Sequence, residues 1–168
     1  MTPLAHRPWI AQTRVASPLG PLTLAATSAG LGGAWFDGQR HHPGPLAAPH
    51  DPAQRWLQQA TLELQAYWQD ATRAAFKVPL DPGGTPFQQA VWLLLRGITA
   101  GQHRGYGELA AALGRPTAAR AVGAAVGRNP LSIIVPCHRV LGAGGALTGY
   151  AGGLDRKREL LRREAAGF

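Results

Sequence analysis

The sequence predicts an α+β protein. A small N-terminal half would hold a three-stranded antiparallel sheet and one helix. A mostly helical C-terminal half would hold a helix-turn-helix. Three features of the chain point there. Its first third alternates short apolar runs with turn residues. The stretch VPLDPGGTP, residues 78–86, interrupts the chain with proline and glycine. Beyond it, two helical patterns flank the tight GRP at 114–116.

TRVASPLGPLTLAATSAGLGGAWF carries turn signals at Ser17-Pro18-Leu19-Gly20 and Ser28-Ala29-Gly30. Between them Leu22, Leu24 and Ala26 alternate with Thr23 and Ala25, the pattern of a half-buried strand. Strands are expected near 12–16, 21–26 and 31–36, followed by a loop, DGQRHHPGPLAAPH. Asp51 is a candidate N-cap with Pro52 at the first helical position. Trp56, Leu57, Ala60, Leu64, Tyr67 and Trp68 then keep helical spacing to about Asp70. The expected division is a domain at 1–77, a linker at 78–84 and a second domain at 85–168.

Thr85-Pro86-Phe87-Gln88 fits a capping box with proline at the first helical position. Phe87, Val91, Leu94, Leu95 and Ile98 mark the apolar face behind it. YGELAAAL (106–113), GRP and TAARAVGAAVG (117–127) read as helix, turn, helix. Many helical hairpins share that outline. Gly105 stands where a capping hydroxyl would help the first of these helices. The second is poor in base readers: Ala118, Ala119, Ala121, Ala124 and Ala125 cannot hydrogen-bond base edges, and Arg120 is the long polar side chain in its middle. Such a helix suits recognition of shape and backbone. A last helix should cover about Leu154 to Ala166.

The 168 residues are 45% hydrophobic, enough for one large or two small cores, and only 15% charged. The 17 cations outnumber the 9 acids, giving a net charge of +8, and only Lys77 and Lys157 are lysine. An arginine-rich surplus favours a polyanionic partner, most often nucleic acid. A single cysteine excludes an internal disulfide, a CxxC redox pair and a zinc ribbon, and favours the reduced, cytoplasmic side. No apolar run is long enough for a membrane span, and the N-terminus lacks the apolar core of a signal peptide. The isolated GLGG and GAGG are not dinucleotide fingerprints, so no cofactor is expected. His41, His42 and His50 read as solvated loop residues rather than metal ligands.

NPLSIIVPCHRVLG, residues 129–142, holds the lone thiol, Cys137, beside His138. The apolar run Leu131 to Val135 reads as a buried strand, bent by Pro136. A lone buried cysteine is commonly inert; an adjacent imidazole changes that reading, because it can take the thiol proton. On an extended strand the two side chains would diverge, so contact needs a kink at Pro136 or a bridging water. A carboxylate should orient the imidazole. Glu164 lies three and four residues after Leu161 and Leu160 and shares their apolar face. Glu159 sits four residues from both Asp155 and Arg163, on a charged face. Glu164 is therefore the expected partner. A thiol hydrolase would fit such a triad as well.

GTPFQQAVW, AARAVGAA, NPLSIIVPCHRV and TGYAGGLDRKRELLRRE, in this order, resemble the O6-alkylguanine-DNA alkyltransferases, or methylated-DNA–protein-cysteine methyltransferases. SPLGPLTLAAT and GLGGAWFDG resemble their first domain more loosely. The resemblance implies an RNase H-like first domain and a winged-helix-like second one. It implies single-use repair of double-stranded DNA carrying O6-alkylguanine, with O4-alkylthymine as a second candidate substrate, by a cofactor-free monomer. Cys137 would accept the alkyl group, activated through water by His138 and Glu164. Asn129 would brace the preceding turn, and Tyr106 would donate to the leaving guanine. Arg120 would fill the space of the flipped base, beside DNA contacts from Thr117, Ala118, Ala121 and Arg128. Val140, Tyr150, Ala151, Gly152 and Gly153 would line the base pocket. A sensor that binds alkylated DNA without accepting the group is the alternative; an acceptor thiol argues against it.

Overall fold

The computed structural model describes residues 7–164. Three antiparallel strands, β1 (Ala11–Val15), β2 (Leu22–Ala26) and β3 (Leu31–Phe36), lie in that order. Thr13 opposes Leu24, and Leu24 opposes Ala34. The period of two puts Leu22 and Leu24 wholly inside. All six residues of β3 are buried, so its two faces are both covered. Gly33 is required there: a Cβ would run into the Trp35 indole, which folds back over the strand.

Both sheet edges are occupied, which removes the exposed ladder groups that invite unwanted pairing. The loop after β3 returns to β1, where Gln12 N–H donates to Pro49 O at 2.9 Å and Asp51 N–H to Gln12 O at 2.9 Å. The outer edge of β3 takes two partners. Leu31 exchanges bonds of 2.7 Å with Pro79 O and Asp81 N–H, and Ala34 bonds Pro130 O at 2.8 Å and Ser132 N–H at 3.0 Å. The proline- and glycine-rich stretch is thus held along the sheet, and the segment leading to Cys137 is laid on the same strand.

Helix α1 (Arg55–Gln69) packs Leu57, Ala60, Leu64 and Tyr67 on the sheet. It starts later than Asp51 and Pro52 suggest. Gln54 is the N-cap, accepting from the Trp56 and Leu57 amides, while Asp51 caps the turn before it through the Ala53 amide. In α2 (Pro86–Arg96) the capping box forms as read, with Gln88 N–H on Thr85 Oγ1 at 3.1 Å and Thr85 N–H on Gln88 Oε1 at 3.0 Å. Trp92 of α2 donates its indole N–H to Ala125 O at 2.9 Å.

Ala125 belongs to α4 (Ala119–Gly127), which pairs with α3 (Tyr106–Ala112) as the helix-turn-helix. Helix α4 begins two residues later than its sequence suggests. Thr117 lies in the turn and Ala118 is an N-cap without a capping side chain. The cap of α3 is half made: Glu108 accepts the Gly105 amide at 3.2 Å, and glycine returns nothing. A short parallel pair, β4 (Arg104–Gly105) and β5 (Val140–Leu141), flanks α3. Helix α5 (Leu154–Arg163) closes the fold, and the expected end at Ala166 lies outside the described residues.

The run Leu131 to Val135 is buried but is no strand. Ile133 has a φ of 73°, a left-handed value that β-branched residues rarely adopt. Ile134 N–H bonds back to Ser132 O at 2.9 Å, and Cys137 N–H to Val135 O at 2.8 Å, two successive three-residue turns. Apolarity set the burial; the turns set the path.

Candidate active site

Cys137 opens a single turn of 3₁₀ helix, Cys137–Arg139, directly after Pro136. The chain therefore bends at Pro136, and no direct hydrogen bond joins the thiol to the imidazole. Asn129 holds the approach. Its amide donates to Val135 O at 2.8 Å and Leu131 O at 3.3 Å, and its carbonyl accepts the Leu131 amide at 3.0 Å. One side chain thereby ties both ends of the turn that delivers the thiol.

His138 is wholly buried, and its Nε2 lies 2.7 Å from Glu164 Oε1. Glu164 is the C-cap of α5, and its carboxylate is crowded with donors. Arg139 reaches it with Nε at 2.9 Å and Nη2 at 2.8 Å, and Tyr67 of α1 donates its hydroxyl at 2.8 Å. Burial alone would raise the carboxyl, but the bonds from His138 and Arg139 outweigh it and hold it at about 2. Glu164 is therefore ionised at neutral pH and only accepts. That fixes Nε2 as the donor and leaves a lone pair on Nδ1. Nδ1 is buried with no hydrogen-bond partner in the protein.

Burial pushes the Cys137 thiol up, against the Asn129 amide and the Lys157 ammonium, which favour the thiolate. Burial also pushes His138 down, against the pull of Glu164. The resting pair is a neutral thiol and a neutral imidazole with an open proton-accepting nitrogen.

Cys137 forms part of the floor of a cleft of about 420 Å³. Its walls include Tyr106, Tyr150 and Ala151, and its mouth is formed by Ala124 and Arg128 of the α4 segment and by Arg40 and His41 from the first half. This volume lies within the range of small-molecule sites, about 300–1,000 Å³. Cys137 thus lies in a cleft lined in part by the second helix of the helix-turn-helix.

Residues 86–166 match the DNA-binding domain, and residues 10–82 the ribonuclease-like domain, of the 6-O-methylguanine DNA methyltransferases. The chain belongs to this family. It is 48% identical over 148 residues to the methylated-DNA–protein-cysteine methyltransferase of Mycobacterium tuberculosis H37Rv, covering 88% of each chain. It is 44% identical over 151 residues to that of Methanosarcina acetivorans, covering 89% of this chain and 95% of the other. A crystal structure of Mycobacterium tuberculosis OGT in complex with DNA superposes with a TM-score of 0.84, at 45% identity and 92% coverage of both chains. The protein is accordingly a DNA-repair methyltransferase of this family, and DNA is its partner.

Within this methyltransferase the residues singled out from sequence take distinct places. Cys137 lines the cleft with Tyr106, Tyr150 and Ala151, while the buried His138–Glu164 pair and Asn129 support it from outside the lining. Burial raises the Tyr106 hydroxyl, which keeps it a protonated donor. Glu159 instead pairs with Arg162 and Arg163 on the surface of α5. Arg120, Ala121 and Arg128 share the exposed face of the second helix of the motif, with Thr117 exposed in the turn before it and Ala118 half-buried. Of these, Arg128 also reaches the cleft mouth.

Three expected pocket residues lie outside the cleft lining. Val140 is fully buried in β5, its carbonyl taken by Lys157 at 2.6 Å. Gly152 packs beneath Tyr150, where a Cβ would stand 2.7 Å from the ring. Gly153, at a φ of 91°, is the N-cap of α5. The two glycines thus serve the turn and the tyrosine rather than a rim.

Sequence reading missed Lys157, Arg139 and Tyr67. Lys157 is fully buried, donating also to Thr148 O at 2.8 Å and Gly149 O at 3.2 Å. Burial lowers it to about 8, with Cys137 opposing. Among the described residues no group of His, Cys, Asp and Glu could hold a metal ion. No helix of the described residues is long and apolar enough to cross a membrane.

Proposed function

We propose that Cys137 takes the alkyl group from O6-alkylguanine in double-stranded DNA, once per molecule. The observation that carries this reading is the open Nδ1 of a buried, carboxylate-locked His138 next to a buried Cys137 at the floor of a base-sized cleft. The modified base leaves the stack, at a cost of a few kcal/mol, and enters that cleft. The thiol proton passes to Nδ1 through a bridging water. Sulfur attacks the alkyl carbon, the new S–C bond forms as the C–O6 bond breaks, and the electron pair stays on guanine. Tyr106 donates a hydrogen bond to the guanine as that charge develops.

Arg120 fills the space the base leaves, and Thr117, Ala118, Ala121 and Arg128 meet the duplex around it. The small side chains of this helix support close approach without a base code, as suits damage that can lie in any sequence. Residues 85–168 carry binding and transfer, with residues 1–77 as their support across the 78–84 stretch. The product is a thioether, a poor leaving group, and the chain has no second cysteine to remove it. One molecule therefore repairs one lesion, acting as a monomer in the reducing cytoplasm.

The test is stoichiometry. Duplexes with one O6-methylguanine are incubated with a known amount of protein, and restored guanine is counted at completion. The expected yield is one guanine per active chain, reached without added cofactor. A yield that keeps rising beyond one per chain contradicts the single-use reading. The same duplex with O4-methylthymine shows whether that base is also a substrate.

A further inference from the structure

Tyr67 lies on α1 of the first half, 97 positions before Glu164, yet its hydroxyl is 2.8 Å from Glu164 Oε1, the same oxygen that faces His138 Nε2. The tyrosine is 1% exposed and Glu164 1% exposed, so no water competes for this bond. The Tyr67 ring is fixed from two sides, by Trp68 at 5.1 Å edge-on and Phe76 at 5.9 Å. A buried tyrosine needs a partner for its hydroxyl. This one spends it on the carboxylate that orients the base.

We infer that Tyr67 is a positioning residue of the transfer reaction, through which the first half of the chain sets the basicity of His138. The inference rests on the reading of His138 as the base for Cys137. The physical reason is competition for one oxygen. Charge that Glu164 Oε1 donates to the Tyr67 hydroxyl is not available to an imidazolium at His138. The other ionisable groups facing this cluster come from three elements. The 3₁₀ turn contributes Arg139 and Cys137, α5 contributes Lys157 and Arg163, and the loop before α5 contributes Tyr150. Arg139 also bonds Glu164 directly; Tyr67 is the donor from the first half.

Removing that donor gives His138 a more basic partner. The imidazolium becomes easier to form, the apparent pKa of His138 rises, and less free base exists at low pH. Tyr67→Phe keeps the ring and its packing and deletes only the hydroxyl. The test has two readouts on the full chain. The first is the rate of a single round of transfer from methylated duplex against pH, alongside duplex affinity. The second is the imidazole titration of His138 by nitrogen NMR in the unreacted protein, which needs no activity.

In Tyr67→Phe the acid limb of the rate profile and the His138 titration should both move up, by roughly half a unit to one unit. The loss of rate should therefore be several-fold at the acid end and small on the alkaline plateau, with duplex affinity unchanged. A uniform loss across the pH range, an unmoved titration or a downward shift overturns the inference. Absence of transfer by the unaltered protein would instead refute the proposed function, while the titration would still decide the role of Tyr67.

Discussion

The exposed face of α4 and the floor beneath it are neighbours built on opposite principles. On the face, Arg120, Ala121 and Arg128 are exposed, and no hydrogen bond fixes the alanines' methyl groups. In the floor, almost every polar atom is committed: Asn129 makes three bonds, Glu164 accepts from three residues and Lys157 donates three times. His138 Nδ1 in the floor and the Tyr150 hydroxyl in the wall above it are the polar atoms near Cys137 that are buried without a partner. In the proposed reading the face can meet any sequence because it specifies little. The floor can place one sulfur because it specifies nearly everything, including which nitrogen of His138 stays open.

The contrast is broken most sharply at the sulfur. Cys137→Ser should abolish transfer and leave duplex affinity within a few-fold, because an alkoxide is far harder to form than a thiolate and the proposed duplex contacts lie on the face. Parallel loss of binding and transfer would merge the two regions into one.

Glu164→Gln comes next. It removes the charge that holds Nε2 as the donor and supports an imidazolium, so transfer should fall roughly 100-fold or more. It also leaves the half-buried Arg139 without its counter-charge, at a cost of up to about 3 kcal/mol. The pH dependence has a definite sign. The folded-state pKa of Glu164 is lowered from 4.5 to about 2, so its contribution to stability is complete above 4.5 and fades as pH falls towards 2. Denaturant titrations should show that decline in the parent protein and its absence in Glu164→Gln. An equal decline in both would assign the acid sensitivity elsewhere.

Arg120→Ala is the smallest effect and sharpens the other side. It should leave folding untouched, since the side chain is exposed, and slow transfer in duplexes several-fold more than in single strands, where no base need be extruded. Equal losses on both substrates would reduce Arg120 to a phosphate contact.

Much of this was legible because local chemistry governs it. The capping box at Thr85, the alternation of β2 and the amphipathic stripe of α5 are each set within a few residues. Glu164 was readable from that stripe, since it follows Leu160 and Leu161 at helical spacing. The same stripe continues back to Lys157, three residues before Leu160. That was the available signal for a buried lysine, masked by Arg156 and Arg158 on either side. Tyr67 left no such trace, because its polar partner lies in the other half of the chain and its spacing on α1 is that of an ordinary core residue. The run 131–135 misled for a related reason. Apolarity reports burial and not path, and a left-handed Ile133 runs against the preference of its residue type.

Intact-mass measurement after incubation with methylated duplex, followed by peptide mapping, tests the central claim most directly. The protein should gain the mass of one methyl group, on Cys137 and on no other residue, and gain nothing from undamaged duplex. Unchanged mass with repaired DNA, or a methyl group on any other side chain, would contradict it.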